Sequence, residues 1–282
     1  MAINTSDIKK LREKTGAGMM DCKKALVEAD GDFQKAEKNL KELGLAAAQK
    51  RSGRATNEGR IFSLIKENKG GLLELACETD FVARNKDFIA MGEQLLTTAI
   101  DNNLNKESDD LQTIIKEGIA KIKENIMLRR LDVISAGESE MMVDYIHGNG
   151  SIGVIVKLSA ENSDLLKNND VKQFAFDCAL HIAAYNPQYL SRDTVDQKYL
   201  DENRAIFEKQ MENSGKPENI IDKIVEGKIN KHLSEVCFLD QGFVKDDKKK
   251  VSDVAKEISK AVGGKIDITD YLYYKVGEEI EE

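Results

Sequence analysis

Two stretches of this chain, set about eighty residues apart, carry the same pattern and leave few folds open. From Arg60 to Lys66 the residues are apolar and strand-like, Glu67-Asn68-Lys69-Gly70-Gly71 supplies a turn, and Leu72 to Glu78 returns. In the return, Leu73, Leu75 and Cys77 fall on one face with Glu74 and Glu78 on the other, the period of a half-buried strand. Downstream, Glu140 to His147 and Ile152 to Ala160 flank Gly148-Asn149-Gly150-Ser151. There Ile152, Val154, Val156 and Leu158 alternate with Gly153, Ile155, Lys157 and Ser159. A helix follows each hairpin. Asn85 caps one that runs to about Ile100, and another spans about 170–185 before Asn186-Pro187 stops it. A further helix is expected over about 111–128, where Ile114, Ile115, Ile119, Ile122 and Ile126 keep helical spacing. Hairpin-then-helix, twice, predicts an α+β fold with a duplicated core, its N-subdomain at 56–139 and its C-subdomain at 140–282.

Residues 1–55 have another texture, that of a small helical head and linker. Ser6 is placed to cap a first helix that buries Ile8 and Leu11, and Thr15-Gly16-Ala17-Gly18 breaks it. A second helix from about Met19 to Ala29 turns Leu26 and Val27 inward, and Asp30-Gly31-Asp32 makes the next turn and cap. A third, with Phe33, Ala36 and Leu40, is expected to end at Gly44, because glycine terminates helices in the left-handed conformation. Residues 45–57 then read either as a tether or as that helix continuing, since Ala, Lys and Arg are good helix formers. Within the C-subdomain, about 188–236 holds two charged helical stretches separated by Asn213-Ser214-Gly215-Lys216-Pro217. Joined so closely, they must run antiparallel, and a hairpin this polar either packs thinly on its own body or offers a seam to a second copy. A helix at about 251–262 and a Tyr-rich strand from Ile266 to Val276 close the chain. Only Pro187 and Pro217 interrupt these elements.

The chemistry-bearing residues are sparse. Residues 1–60 carry 13 Lys and Arg against 9 Asp and Glu, and the rest 29 against 41, so a mildly basic head sits on an acidic body. That is too weak a footprint for nucleic acid, and the absence of Trp removes one common stacking platform. Cys22, Cys77, Cys178 and Cys237 are scattered without a Cys-x-x-Cys pair, which disfavours a zinc knuckle or a disulfide framework. No apolar run reaches membrane-spanning length and no signal peptide is evident, so a cytoplasmic location is expected. No phosphate-binding glycine loop is present, and no metal-ligand spacing recurs. Cys178 and His181 lie three apart on one helix, but Phe174, Ala175, Phe176, Ala179 and Leu180 around them describe a buried core helix rather than a reactive thiolate.

One segment stands apart. Thr79-Asp80-Phe81-Val82-Ala83-Arg84-Asn85 is a polar–apolar–polar loop between a buried strand and a capped helix. Asp80 can close the turn with its own side chain. Phe81 is either tucked into the local core or exposed as an anchor for a partner, and composition favours the tucked form.

Thr15-Gly16-Ala17-Gly18-Met19-Met20-Asp21-Cys22-Lys23-Lys24-Ala25-Leu26 and Thr79-Asp80-Phe81-Val82-Ala83-Arg84-Asn85 both resemble signatures of the bacterial elongation factor Ts family. So do Tyr145-Ile146-His147 through Ile152-Gly153-Val154, His181-Ile182-Ala183-Ala184 before Asn186-Pro187, and Ser214-Gly215-Lys216-Pro217. The motifs come in the family's order over nearly the whole chain. The resemblance implies a head similar to a ubiquitin-associated (UBA-like) module, a duplicated core, and a dimerising helical coiled coil. It implies no active site and no cofactor, but a guanine nucleotide exchange factor that binds elongation factor Tu and speeds GDP release. In that resemblance Thr79, Asp80, Phe81 and Val82 form the loop that displaces Mg²⁺, with Phe81 as a wedge. Arg12, Met19 and Met20 match head positions that touch the partner's GTPase domain, and His147 matches a contact to a more distant partner domain. Where many members have Arg before Ile-Gly-Val this chain has Ser151, and a C-terminal extension of longer members is expected to be lacking. The rival expectation is a non-catalytic adaptor whose UBA-like head binds a peptide or ubiquitin-like ligand. It leaves residues 79–85 unexplained.

Overall fold

The computed structural model describes residues 4–212 and 217–280, which divide into two compact units. The first comprises Met1–Ile134, Ile146–Gly153 and Tyr274–Glu282; the second comprises Ser135–Tyr145 and Val154–Tyr273. Helix and sheet are mixed throughout, an α+β fold.

The first unit starts with three helices: α1 (Thr5–Thr15), α2 (Met19–Glu28) and α3 (Phe33–Arg51). Asn4, not Ser6, caps α1, its side chain accepting the Ser6 N–H, and Gly16 ends the helix with φ 68°. Ile8, Leu11, Cys22, Ala25, Leu26, Ala36 and Leu40 form its small core. Val27 is 55% exposed instead of buried. Neighbouring residues on a helix point about 100° apart, so a narrow apolar stripe that takes Leu26 turns Val27 out. Asp32 caps α3 through the Lys35 N–H as expected, but α3 does not stop at Gly44. At that point α3 crosses helix α6 (Asp109–Ile122), and a side chain on Gly44 would meet the Ala120 methyl at 2.7 Å. Gly44 is there for close approach, not termination.

Strand β1 (Glu58–Lys66) pairs antiparallel with β2 (Lys69–Cys77), with Lys66 opposite Lys69. β2 is the middle strand of a three-stranded sheet whose third member is β3 (Ile126–Ser135). The helix expected over about 111–128 therefore ends earlier: Lys123 takes φ 70° and Ile126 opens β3. Ile126 sits four residues after Ile122, and that spacing imitated another helical turn. Being central, β2 is buried on both faces, which overturns the water-facing assignment of Glu74. Its carboxylate accepts from Arg129 Nη1 at 2.6 Å, Arg130 Nε at 2.7 Å and the Gly277 N–H at 3.1 Å.

On the other face lies the main core. Helix α5 (Lys86–Asn102) buries Phe88, Met91, Leu95, Leu96, Ala99 and Ile100, spaced by three and four, and α6 adds Leu111, Ile115 and Ile119. Each of these side chains larger than alanine contributes roughly 1.5–3 kcal/mol through burial. Gly92 in α5 lies under the Phe62 ring, so any side chain there would run into it. Gly92→Ala is expected to lower stability by about 1–3 kcal/mol in urea denaturation through overpacking. An unchanged midpoint would show that the ring can step aside.

In the second unit, β4 (Glu140–His147), β5 (Ile152–Ala160) and β8 (Ile266–Lys275) form a second three-stranded sheet in that order, with the end residues 146–153 and 274–275 assigned to the first unit. The second hairpin and helix α7 (Asn169–Tyr185) fall where the sequence placed them, and Asn186 closes α7 with φ 43°. Helix α10 (Val251–Val262) packs on α7. A short hairpin, β6 (Gly242–Phe243) with β7 (Asp246–Lys250), had no signal in the sequence; Asp246-Asp247-Lys248-Lys249-Lys250 carries no apolar face. Helices α8 (Gln197–Met211) and α9 (Glu218–Val236) run antiparallel, with Tyr199 bonded to His232 at 2.7 Å and Lys228 to Gln210 at 2.7 Å. Val195 lies just before α8. Of the connecting turn, residues 213–216, and with them the Ser214-Gly215-Lys216 motif, lie outside the described residues.

Candidate functional site

Cys178 and His181 form no reactive pair. Both are buried, and each His181 ring nitrogen is already used: Nδ1 accepts the Val244 N–H at 3.1 Å, so Nε2 carries the proton and donates to Gln241 Oε1 at 2.8 Å. Burial pushes the Cys178 thiol well up, so it stays protonated. Burial also pushes the His181 imidazole below its ordinary 6.5. The unfolded chain therefore takes up a proton that the folded chain refuses, and stability falls as pH drops through that range. We expect the urea midpoint to drop between about pH 7.5 and about pH 5.5, and His181→Gln to flatten part of that slope. A slope untouched by the substitution would locate the titration elsewhere.

The turn at residues 79–85 is built differently. As β2 ends, Thr79 becomes the N-cap of a one-turn helix, α4 (Asp80–Ala83), its hydroxyl oxygen accepting the Val82 N–H at 3.3 Å. Ala83 is buried in the main core and Val82 packs against it. One helical turn that commits Val82 and Ala83 inward sends the preceding side chain outward, and Phe81 is 82% exposed. Asp80 and Arg84 pair at 3.2 Å on the surface, a contact that contributes little. Asn85 then caps α5 through the Asp87 N–H at 2.7 Å.

The support beneath this turn comes from residues 121–125, the junction of α6 and β3. Glu124 accepts the Thr79 N–H at 3.0 Å on one oxygen and the Thr79 hydroxyl at 2.8 Å on the other. The Asn125 N–H donates to Glu78 at 2.7 Å and holds that carboxyl below its usual range. The Asn125 amide donates to the carbonyls of Ser52 and Arg54. The Cys77 thiol, pushed up to about 12 by burial and then by Glu124, donates to the Thr79 carbonyl at 3.2 Å.

The same junction grips the helical head. Lys121 bonds Asp87 at 2.8 Å while its stem lies against Gly16, and Lys123 reaches Asp21 of α2 at 3.7 Å. The sequence-derived residues Met19 and Met20 open that helix, and Met20 is 74% exposed. Arg12 is exposed in the last turn of α1. Thus Phe81 and the start of α2 stand on one scaffold. His147 has another anchorage: its carbonyl accepts from the Gly150 and Ser151 N–H groups and from the Ser151 hydroxyl, and the Gly150 carbonyl accepts the Ile61 N–H at 2.7 Å. Glu124 and Asn125 were missed from sequence because their segment was read as helix; Ile126 and Leu128 flanking Met127 was the strand signal.

Among the described residues, no group of three His, Cys, Asp or Glu side chains is placed to hold a metal ion, and no helix is long and apolar enough to cross a membrane.

Comparison with known proteins identifies the family of the chain. The profile of the family described as Elongation factor TS matches residues 78–278, a span that contains the turn and its support. The chain is 44% identical to the elongation factor Ts of Treponema denticola over 98% of its length and 99% of the relative's. To that of Borrelia duttonii it is 45% identical, over 98% and 100%; to that of Borrelia recurrentis, 44%, over 98% and 100%. With a matching profile over most of its residues and relatives aligned from end to end, this chain belongs to the elongation factor Ts family.

Proposed function

We propose that this chain is a translation elongation factor acting as the guanine nucleotide exchange factor of elongation factor Tu, and that residues 79–82 are its working tip. The observation that carries the reading is Phe81: a large aromatic side chain 82% exposed on a turn capped and anchored from below. An exposed ring on a pre-formed support costs little ordering on binding, which is what a wedge requires. GDP on a GTPase is held through phosphate contacts and a water-bound Mg²⁺. Inserted beside that site, Phe81 disturbs the Mg²⁺ arrangement and strains the phosphate loop, so the factor and the nucleotide weaken each other's binding. No bond is made or broken by this chain, and cytosolic GTP then refills the emptied site.

Arg12, Met19 and Met20 dock the head on the GTPase domain, with the methionines as adaptable contacts, and His147 reaches a second partner domain. The head at 1–55 works as a UBA-like module on a two-part core at 56–139 and 140–282. Helices α8 and α9 form a coiled-coil arm within 188–236 whose exposed Ile206 and Ile220 offer a seam to a second copy. Ser151 makes no charged contact with the partner; its hydroxyl is turned back to the His147 carbonyl. A cytoplasmic setting follows from the partner.

The test is release of labelled GDP from elongation factor Tu with and without this chain. Release should accelerate and saturate with concentration. A rate identical to the spontaneous one would remove the exchange reading, and capture of elongation factor Tu that is lost on adding GDP and Mg²⁺ would oppose the adaptor alternative.

A further inference from the structure

We infer that Glu124 is a positioning residue for exchange, resting on the reading above: its carboxylate fixes the angle at which the Phe81 ring is presented. Three observations carry it. Helix α4 is four residues long, and an isolated turn of that length does not hold itself. The Phe81 ring is 82% exposed and has little of its own surface against the protein, so its pose is set by the backbone of residues 79–82. That backbone is fixed at Thr79, and both donors of Thr79 go to Glu124, at 3.0 Å from the N–H and 2.8 Å from the hydroxyl.

The hydroxyl makes the arrangement directional. Its single proton can go to only one acceptor; given to Glu124, it leaves a lone pair aimed at the Val82 N–H, the bond that starts α4. A carboxylate, which only accepts, thereby dictates which way the cap faces. Glu124 is itself held. It follows Lys123, whose φ of 70° turns the chain out of α6, and precedes Asn125, whose N–H bonds Glu78 at 2.7 Å. The two residues therefore grip residues 78 and 79 from one side. Meanwhile Ala83, below, belongs to the main core with or without Glu124, so losing the carboxylate loosens the tip and not the fold.

The experiment uses the full chain, with labelled-GDP release from elongation factor Tu at saturating factor. Glu124→Ala is expected to slow release about tenfold, the loss typical of charge-assisted hydrogen bonds, while the thermal midpoint moves by only a few degrees. Glu124→Gln should recover only part of the rate, since its one oxygen still accepts the Thr79 N–H but its amide donates to the hydroxyl and no longer takes the proton that leaves a lone pair for Val82. In a Phe81→Ala background Glu124→Ala should change nothing further, because Glu124 acts through the ring. The chain has no Trp, so Phe81→Trp also supplies a single reporter, whose anisotropy should fall when Glu124→Ala is added. Equal slowing in both backgrounds, or an unchanged anisotropy, would overturn the positioning role. So would normal release by Glu124→Ala beside a slow Phe81→Ala, and that result leaves the exchange reading intact. Normal release by Phe81→Ala itself overturns both the positioning role and the wedge role of Phe81, whereas a spontaneous rate with the unchanged chain overturns the exchange reading.

Discussion

Phe81→Ala is expected to slow GDP release from elongation factor Tu by a factor between the tens and several hundred, with the folded chain otherwise unaltered. Truncating an aromatic anchor that fills a partner's pocket removes about 2–4 kcal/mol, and each ~1.4 kcal/mol is a tenfold change. The loss should appear in the saturated rate more than in the concentration that half-saturates it. The ring is required where the nucleotide site is forced open, whereas the head and the second hairpin supply binding that does not depend on that step. A side chain 82% exposed contributes almost nothing to the core, so the thermal midpoint should hold. Stopped-flow measurement over a range of factor concentrations separates the two parameters. A loss confined to half-saturation would make Phe81 an ordinary contact and not a wedge.

Glu74→Ala should produce the largest loss of stability, about 3–5 kcal/mol, because it leaves two guanidinium groups without their counter-charge in a dry place. Glu74 is fully buried, and Arg129 and Arg130 are 18% and 15% exposed, so solvent screens little of the interaction. The cluster also holds the final turn of the chain within the first unit. Arg129 Nη2 donates to the Glu278 carbonyl at 2.8 Å, Arg130 Nη2 to the Lys275 carbonyl at 2.9 Å, and Arg130 Nη1 pairs with the Glu278 carboxylate at 3.1 Å. The Arg130 guanidinium lies 4.1 Å from the Tyr274 ring centroid, and the Tyr274 hydroxyl donates to Asp132. Without Glu74 the Gly277 N–H loses its acceptor as well. Urea denaturation should show a lowered midpoint, and limited proteolysis should cut within residues 274–280. A midpoint equal to that of the unchanged chain would mean that water reaches the arginines and that the site is not dry.

The second hairpin, α5, α7, α10 and β8 were legible from the sequence because their signals are local. Asn85 and Asp32 announce caps, Asn186-Pro187 announces a stop, and the alternation from Ile152 to Leu158 fits one backbone period. The motifs at 15–26 and 79–85 are enough to show the family resemblance, and the aligned relatives agree. Three of the failures share one cause. Gly44 was read as a terminator, Ile126 as one more helical turn and Glu74 as facing water. Each depends on a partner distant in sequence: Ala120 for Gly44, the sheet for Ile126, and Arg129 with Arg130 for Glu74.

The tip obeys the same division. The sequence by itself determined that residues 79–85 lie between a strand and a capped helix, since Asn85 acts on an amide two residues away, but it offered Asp80 where Thr79 closes the turn. Only the tertiary structure decided that Phe81 faces out. That choice follows from Val82 and Ala83 entering a core drawn from β1, β2, α5, α6 and β3, and from Glu124 fixing Thr79 across 45 residues of sequence. Hydrogen bonds to a near neighbour are written in residue spacing. Burial is a property of everything that packs around a side chain, and no local window contains it.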